Sequence, residues 1–225
     1  MDVNCLMTRF DQFVSKKPDR PNIFIEIKKL SIRNHTESLK WLIDHIRTKQ
    51  ELAKKTMVFC REVDTVSDIF TQMRVQLGDD TYVSGTKDSN MATTALGMGL
   101  DIPDVDVVVH VGCAKSVLCY WQDVGRCARD GRRGYAIALC DNFTKSRKNT
   151  VDDIKDIVNN VTSSCSRERL MQQFEGDTDT KRIISCGQCT VDDICPCTLC
   201  NCCTYCRSNC PCQDVINYNV EKVMA

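Results

Sequence analysis

DVVVHV, residues 106–111, is an almost unbroken β-branched run, and such runs belong to strands covered on both faces, as in a parallel sheet. Working outward, a helical pattern from about Val117 to Asp130 leads to YAIALC, Tyr135 to Cys140, a second strand. Upstream, TMVFC, Thr56 to Cys60, has strand character. It precedes Val66, Ile69, Phe70, Met73 and Leu77, which recur at helical spacing until Gly78 stops them. IFIEI, Ile23 to Ile27, is a further short strand. Between Asn34 and Lys49, Leu39, Leu42, Ile43 and Ile46 fall at i, i+3, i+4 and i+7, with Asn34 or Thr36 as N-cap. Strand and helix alternate throughout, which predicts an α/β layer architecture with right-handed crossovers and ligands beyond the carboxyl ends of the strands.

The chain has 225 residues, 42% hydrophobic and 27% charged, which suits one globular domain with a smaller module and excludes wholesale disorder. Thirty basic residues balance 30 acidic ones, so any attraction to nucleic acid must come from a local basic face. No apolar stretch reaches the ~18 residues of a membrane span and residues 1–14 lack signal-peptide character, so a soluble intracellular protein is expected.

Seventeen cysteines are unevenly placed: six lie singly between Cys5 and Cys140, and ten crowd into Cys186 to Cys212 behind Cys165. Without a secretory signal, such a cluster reads as a metal site rather than a disulfide framework, because intracellular thiols stay reduced. The composition divides the chain into a lead-in over 1–19, an α/β domain over 20–145, a helical linker and Cys-rich module over 146–212, and a tail over 213–225. His35, His45 and His110 show no ligand spacing, and His110 reads as a core residue ending a buried strand.

Two segments carry chemistry. ATTALGMGLDIP puts Gly97 and Gly99 in a loop where absent side chains let backbone N–H groups approach phosphate or ribose. QDVGRCARDG, residues 122–131, spaces Gln122, Arg126 and Arg129 at i, i+4 and i+7, so on a helix they would share one face and offer two guanidiniums to a polyphosphate. Lys145, Arg147 and Lys148 form a short basic run that reads as a solvated linker or a phosphate contact.

The pair ATTALGMGLDIPDVDVVVH and YWQDVGRCARDG resembles motifs V and VI of RecQ-family DNA helicases, in that order and at that spacing. PDRPNIFIEI is similar to the lead into the family's second RecA-like lobe, TMVFC to its motif IV strand, and Cys165 with Cys186-Gly-Gln-Cys189 to its zinc-binding subdomain. The resemblance implies a RecA-like parallel sheet flanked by helices, followed by a small helical Cys-rich zinc module, in a nuclear or other intracellular protein. It implies ATP and Mg²⁺ as cofactors beside a first lobe, DNA as partner, and 3′ to 5′ unwinding in recombination and repair. Arg129 would be the arginine finger, with Arg126 and Gln122 completing the nucleotide face and Asp101 near the ribose. Thr93, Thr94 and Ser116 would lie toward the DNA backbone. Cys165, Cys186, Cys189 and Cys195 would hold zinc, with Cys197 as the alternate fourth ligand. Cys197-x2-Cys200 with Cys203-x2-Cys206 could take a second zinc, or the tail could remain an oxidisable segment.

The chain also departs from that pattern. No G-x-x-x-x-G-K-[ST] and no Asp-Glu dipeptide occurs in it, so the ATP-gripping first lobe is expected to be missing and the chain alone to be inactive. YVSGT, Tyr82 to Thr86, is followed within four residues by MATTALG, too few for the helix and strand the family has there, so one strand and helix are expected to be lost and the fold to be marginal. A non-catalytic nucleic-acid or zinc-binding derivative of such a helicase, or a metal-buffering tail, would also carry these features.

Overall fold

The computed structural model describes residues 18–31, 34–78, 91–93, 105–174 and 201–210. Five strands form one sheet: β1 Ile23–Leu30, β2 Thr56–Cys60, β3 Met91–Thr93, β4 Val107–Val111 and β5 Gly134–Asp141. Their order is β1-β5-β4-β2-β3 and every pairing is parallel. The strand runs read from the sequence are all present. β1 extends past Ile27 because Lys28–Leu30 continues its pairing onto Lys28↔Leu139 and Leu30↔Asp141. β3 is three residues long and, among the described residues, pairs with β2 alone. The segment 79–90, where a helix and strand were expected to be lost, lies outside the described residues, as do Tyr82 and Thr86.

Parallel pairing requires a crossover between strands, and the helices supply it on both faces. On one face α1 His35–Ser38, α2 Lys40–Lys49 and α3 Val63–Leu77 cover the sheet. Asn34 caps α1 by accepting from the Glu37 N–H at 3.0 Å. Leu39, Leu42, Ile43, Ile69 and Met73 meet Phe24, Val58, Val107, Val109, Ile137 and Leu139 there. Gly78 ends α3 with φ of 81°, a conformation glycine adopts without steric cost.

The other face is covered by α4 Val117–Val124, α6 Asp152–Asn159, α7 Ser166–Gln172 and α8 Thr204–Ser208, with the short α5 Asn142–Lys145 following β5. Ile25, Ile27, Val108, Ala136 and Ala138 pack there against Tyr120, Val124, Ile154, Ile157, Leu170 and Cys203. Successive residues of β1, β4 and β5 thus serve opposite faces, the period of two that a doubly covered strand demands. The Cys-rich segment caps the sheet edge as well. The Ile25 N–H donates to the Cys202 carbonyl at 3.1 Å, and Ile25 and Cys203 form a parallel bridge. No described helix is long and apolar enough to cross a membrane.

One helix ends early. The pattern over Val117–Asp130 predicts a single helix, but α4 stops at Val124. Beyond it, Arg126 and Cys127 donate to Asp123 and Val124 three residues back, and Ala128 takes φ of 46° and donates to the Val105 carbonyl, just ahead of β4, at 2.7 Å. A residue in the left-handed region cannot continue a right-handed helix. Gln122, Arg126 and Arg129 therefore do not share a helical face; the two arginines stand in consecutive turns after it.

Candidate functional site

α4 is the crossover from β4 to β5, so it starts at the carboxyl edge of the sheet and returns to the amino edge. Ser116 caps its start, accepting from the Cys119 N–H at 3.2 Å. The arginine loop, residues 125–131, is consequently at the amino edge, beside Val105 ahead of β4 and Gly134 at the start of β5. Sequence reasoning placed ligands beyond the carboxyl ends, and for the arginines the crossover geometry reverses this.

The loop is held from beneath by the segment before β1. Arg20 donates to three of its carbonyls: Nη2 to Ala128 O at 2.7 Å and to Cys127 O at 3.1 Å, and Nη1 to Gly125 O at 3.4 Å. Asn22 Nδ2 reaches Ala128 O at 3.2 Å and Arg132 O at 2.7 Å. Carbonyls at a helix carboxyl end carry partial negative charge, so a guanidinium there is favourable and fixes the backbone from which Arg126 and Arg129 project. Trp121 Nε1 donates to Pro18 O at 2.8 Å, tying the same segment to α4. Arg129 and Gln122 are exposed and Arg126 is half-buried. Sequence reasoning missed Arg20 and Asn22, because a contact across more than 100 residues leaves no local pattern.

The loop has little room. A Cβ on Gly134 would stand 2.5 Å from Cys127 Sγ and 2.8 Å from Ala128 Cβ. Gly134→Ala is expected to cost ~1–3 kcal/mol, as overpacking in a closed core does. Thermal unfolding checks it, and a melting temperature equal to the parent's would contradict this seat for the loop.

His110 is buried between Phe59, at 5.2 Å between ring centroids, and Tyr120, at 5.1 Å. Burial holds its imidazole down to about 3, so it is neutral near pH 7. Its Nε2 lies 3.5 Å from Asp123 Oδ2 without forming an ion pair. Burial raises Asp123 to about 6, with Arg126 opposing the rise. The core reading of His110 holds.

Ser116 and Thr93 both stand at the carboxyl edge, Thr93 by its pairing with Cys60 at the end of β2. Lys115, Arg147 and Lys148 are exposed near that edge, with Arg147 paired to Glu62. Thr94, Gly97, Gly99 and Asp101 lie outside the described residues.

A second cluster lies beside β1. Cys165 caps α7, its sulfur accepting from the Glu168 N–H at 3.4 Å. Around it stand Cys202, Cys203 and Cys206, and all four Sγ atoms are within 4.8 Å of one another and buried. Cys165 and Cys202 are 3.6 Å apart, and Cys165 and Cys203 are 4.0 Å apart. Zn–S bonds of about 2.3 Å in a tetrahedron put sulfurs about 3.8 Å apart, so this donor set fits such an ion and can hold a metal. Hydrogen bonding from Cys165 first, then Cys202, draws the Cys203 thiol below its ordinary range, while the same contact with Cys165 pushes Cys202 up. Of the expected ligands only Cys165 is in this group; Cys186, Cys189, Cys195 and the alternate Cys197 lie outside the described residues. The Cys203-x2-Cys206 knuckle was visible in the sequence as part of a second site, but its meeting with Cys165 was not.

Arg167, two residues past Cys165, is buried and also escaped sequence reasoning. Its Nη1 donates to Asp19 Oδ1 at 2.7 Å and to Arg20 O at 2.9 Å, and its Nη2 to Ile23 O and to Cys202 O at 3.5 Å.

The helicase conserved C-terminal domain matches residues 80–131, the segment that contains β3, β4 and the arginine loop. Among curated relatives, a putative ATP-dependent RNA helicase R290 of Acanthamoeba polyphaga mimivirus is 25% identical over 72% of this chain and 34% of its own length. The ATP-dependent helicase wrn-1 of Caenorhabditis elegans is 25% identical over 76% of this chain and 20% of its own length. The putative ATP-dependent DNA helicase Q1 of the same organism is 35% identical over 42% of this chain and 16% of its own length. The chain therefore spans about a third or less of these relatives.

Proposed function

We propose that this chain, whose helicase C-terminal segment is of RecQ-like kind, supplies the arginine-bearing lobe of an ATP-dependent DNA helicase that unwinds 3′ to 5′ in recombination and repair in the nucleus. The observation that carries the reading is the loop 125–131, clamped through its carbonyls by Arg20 and Asn22 with Arg129 left exposed. ATP and Mg²⁺ would be gripped by a first RecA-like lobe. From this side Arg129 would meet charge developing on the γ-phosphate, Arg126 and Gln122 would complete the nucleotide face, and Gly97, Gly99 and Asp101 would line it near the ribose. Thr93, Thr94 and Ser116 would face the DNA backbone, a role supported by the carboxyl-edge position that Thr93 and Ser116 share, away from the arginines.

The four-thiol group would hold zinc, which supplies a tetrahedral crosslink between α7 and residues 202–206. Cys165 belongs to that group, and zinc retention by Cys189→Ser tests the alternative set Cys165, Cys186, Cys189 and Cys195.

The pure chain is expected to bind single-stranded DNA with affinity that falls as salt rises, with log K changing by about 0.7 per log salt for each phosphate neutralised. It is expected to hydrolyse ATP negligibly, because Arg129 then has no positioned phosphoryl group to stabilise. Titration across a salt series and a turnover assay check both. A flat salt dependence would remove the DNA assignments. Steady turnover by the pure chain, abolished by Arg129→Ala, would overturn the reading that a first lobe is needed. The four-thiol group beside β1 favours, as second reading, a non-catalytic derivative that binds nucleic acid or zinc.

A further inference from the structure

The thiol cluster and the arginine loop are both fastened to residues 18–23. We propose that Arg167 is a positioning residue through which metal held by Cys165, Cys202, Cys203 and Cys206 orders the arginine loop; the inference rests on the metal reading above. The connection is continuous. Arg167 leaves the first turn of α7, which Cys165 caps, and one guanidinium then bonds the Cys202 carbonyl on the metal side and Asp19, the Arg20 carbonyl and the Ile23 carbonyl on the strap side. From the strap, the Arg20 side chain bonds the carbonyls of Gly125, Cys127 and Ala128, and the Pro18 carbonyl accepts from Trp121.

A buried guanidinium is costly unless its donors are all placed, so this arrangement is stable only while its acceptors keep their positions. One of those acceptors, and the origin of Arg167 itself, belong to residues that carry the thiols. Cys165 sets where α7 begins and hence where Arg167 starts, and Cys202 contributes its own carbonyl. Without a metal, the direct sulfur links from Cys165 to Cys202 and Cys203 are weak S–H contacts, while Cys202 stays bonded to β1 through Ile25. The start of α7 is then no longer crosslinked to residue 202, Arg167 loses the fixed spacing between its origin and its acceptors, the strap loosens, and Arg20 no longer pins the carbonyls beneath Arg126 and Arg129. Lysine cannot replace it, since one ammonium cannot fork toward acceptors on two sides.

Amide hydrogen exchange of the full chain, with zinc bound and after chelation, tests this. With zinc removed, residues 125–131 are expected to exchange on the order of tenfold faster or more, while α3, on the opposite face of the sheet, is unchanged. Arg167→Lys is expected to keep one zinc per chain but to exchange quickly in 125–131 whether or not zinc is present. Arg20→Gln is expected to loosen 125–131 alone and leave 165–172 protected, because Arg167 meets residue 20 only through its backbone carbonyl. Unchanged exchange in 125–131 on removal of bound zinc would overturn the coupling and leave the metal reading standing. So would a zinc-dependent loop in Arg167→Lys, or a rise in exchange that includes α3. A chain that binds no zinc would overturn the metal reading and this inference with it.

Discussion

Arg129→Ala is expected to lower DNA-stimulated ATP turnover by ~10³ to 10⁵ when the chain acts beside a first RecA-like lobe, the range an arginine finger commands in phosphoryl transfer. The loss should fall on kcat with KM nearly unchanged, because the guanidinium meets charge that develops only in the transition state. Arg129 is exposed at the amino edge, the side from which a nucleotide held by another lobe would be reached. Its backbone is nonetheless fixed by Arg20, so its reach starts from a defined place. Arg129→Lys should rescue little, since an ammonium cannot bind two phosphate oxygens side by side. Arg126→Ala should cost less in kcat and also weaken nucleotide binding, as Arg126 is half-buried and sits nearer the core of the loop. Steady-state hydrolysis with single-stranded DNA reads all three, and turnover of Arg129→Ala close to the parent's would exclude the finger role.

The second large effect concerns the metal. Cys206→Ser is expected to abolish retention of one zinc per chain under chelator competition and to unfold the α7 and α8 region, because structural zinc contributes ~10–16 kcal/mol of apparent binding energy to folding. Serine offers no thiolate, and three remaining sulfurs leave the tetrahedron open. Cys165→Ser should do the same. The informative comparison is Cys189→Ser, which the observed thiol group predicts to keep its zinc. Metal analysis after chelation separates the cases. Zinc retained by Cys206→Ser but lost by Cys189→Ser would restore the set Cys165, Cys186, Cys189 and Cys195.

Much of the fold could be read from local pattern, for a physical reason. DVVVHV and YAIALC are apolar on both sides because helices cover both faces of the sheet, and that requirement acts on every residue of a strand. The stop at Gly78 was readable because glycine alone takes φ of 81° freely. The end of α4 was not. Ala128 is a good helix former, and its left-handed conformation is imposed by its bond to Val105 rather than by its own preference. Helical spacing of Gln122, Arg126 and Arg129 therefore pointed to a shared face that the chain does not build.

The candidate site divides in the same way. Arg126 and Arg129 could be named from their spacing to Gln122 and to each other, whereas Arg20 and Arg167 act through carbonyls, which carry no sequence signature. Cysteine partners are a tertiary fact: eleven thiols behind Cys165 and including it admit many groupings, and the choice depends on Cys202 docking against Ile25 at the open edge of β1.

This lobe, as proposed, completes a nucleotide site rather than containing one. ATP hydrolysis with single-stranded DNA, measured for the chain alone, for a first RecA-like lobe bearing the G-x-x-x-x-G-K-[ST] motif alone, and for the two joined, decides it. DNA-stimulated turnover is expected only in the joined protein. Turnover by this chain alone, or a joined protein that binds ATP and DNA without hydrolysis, would contradict it.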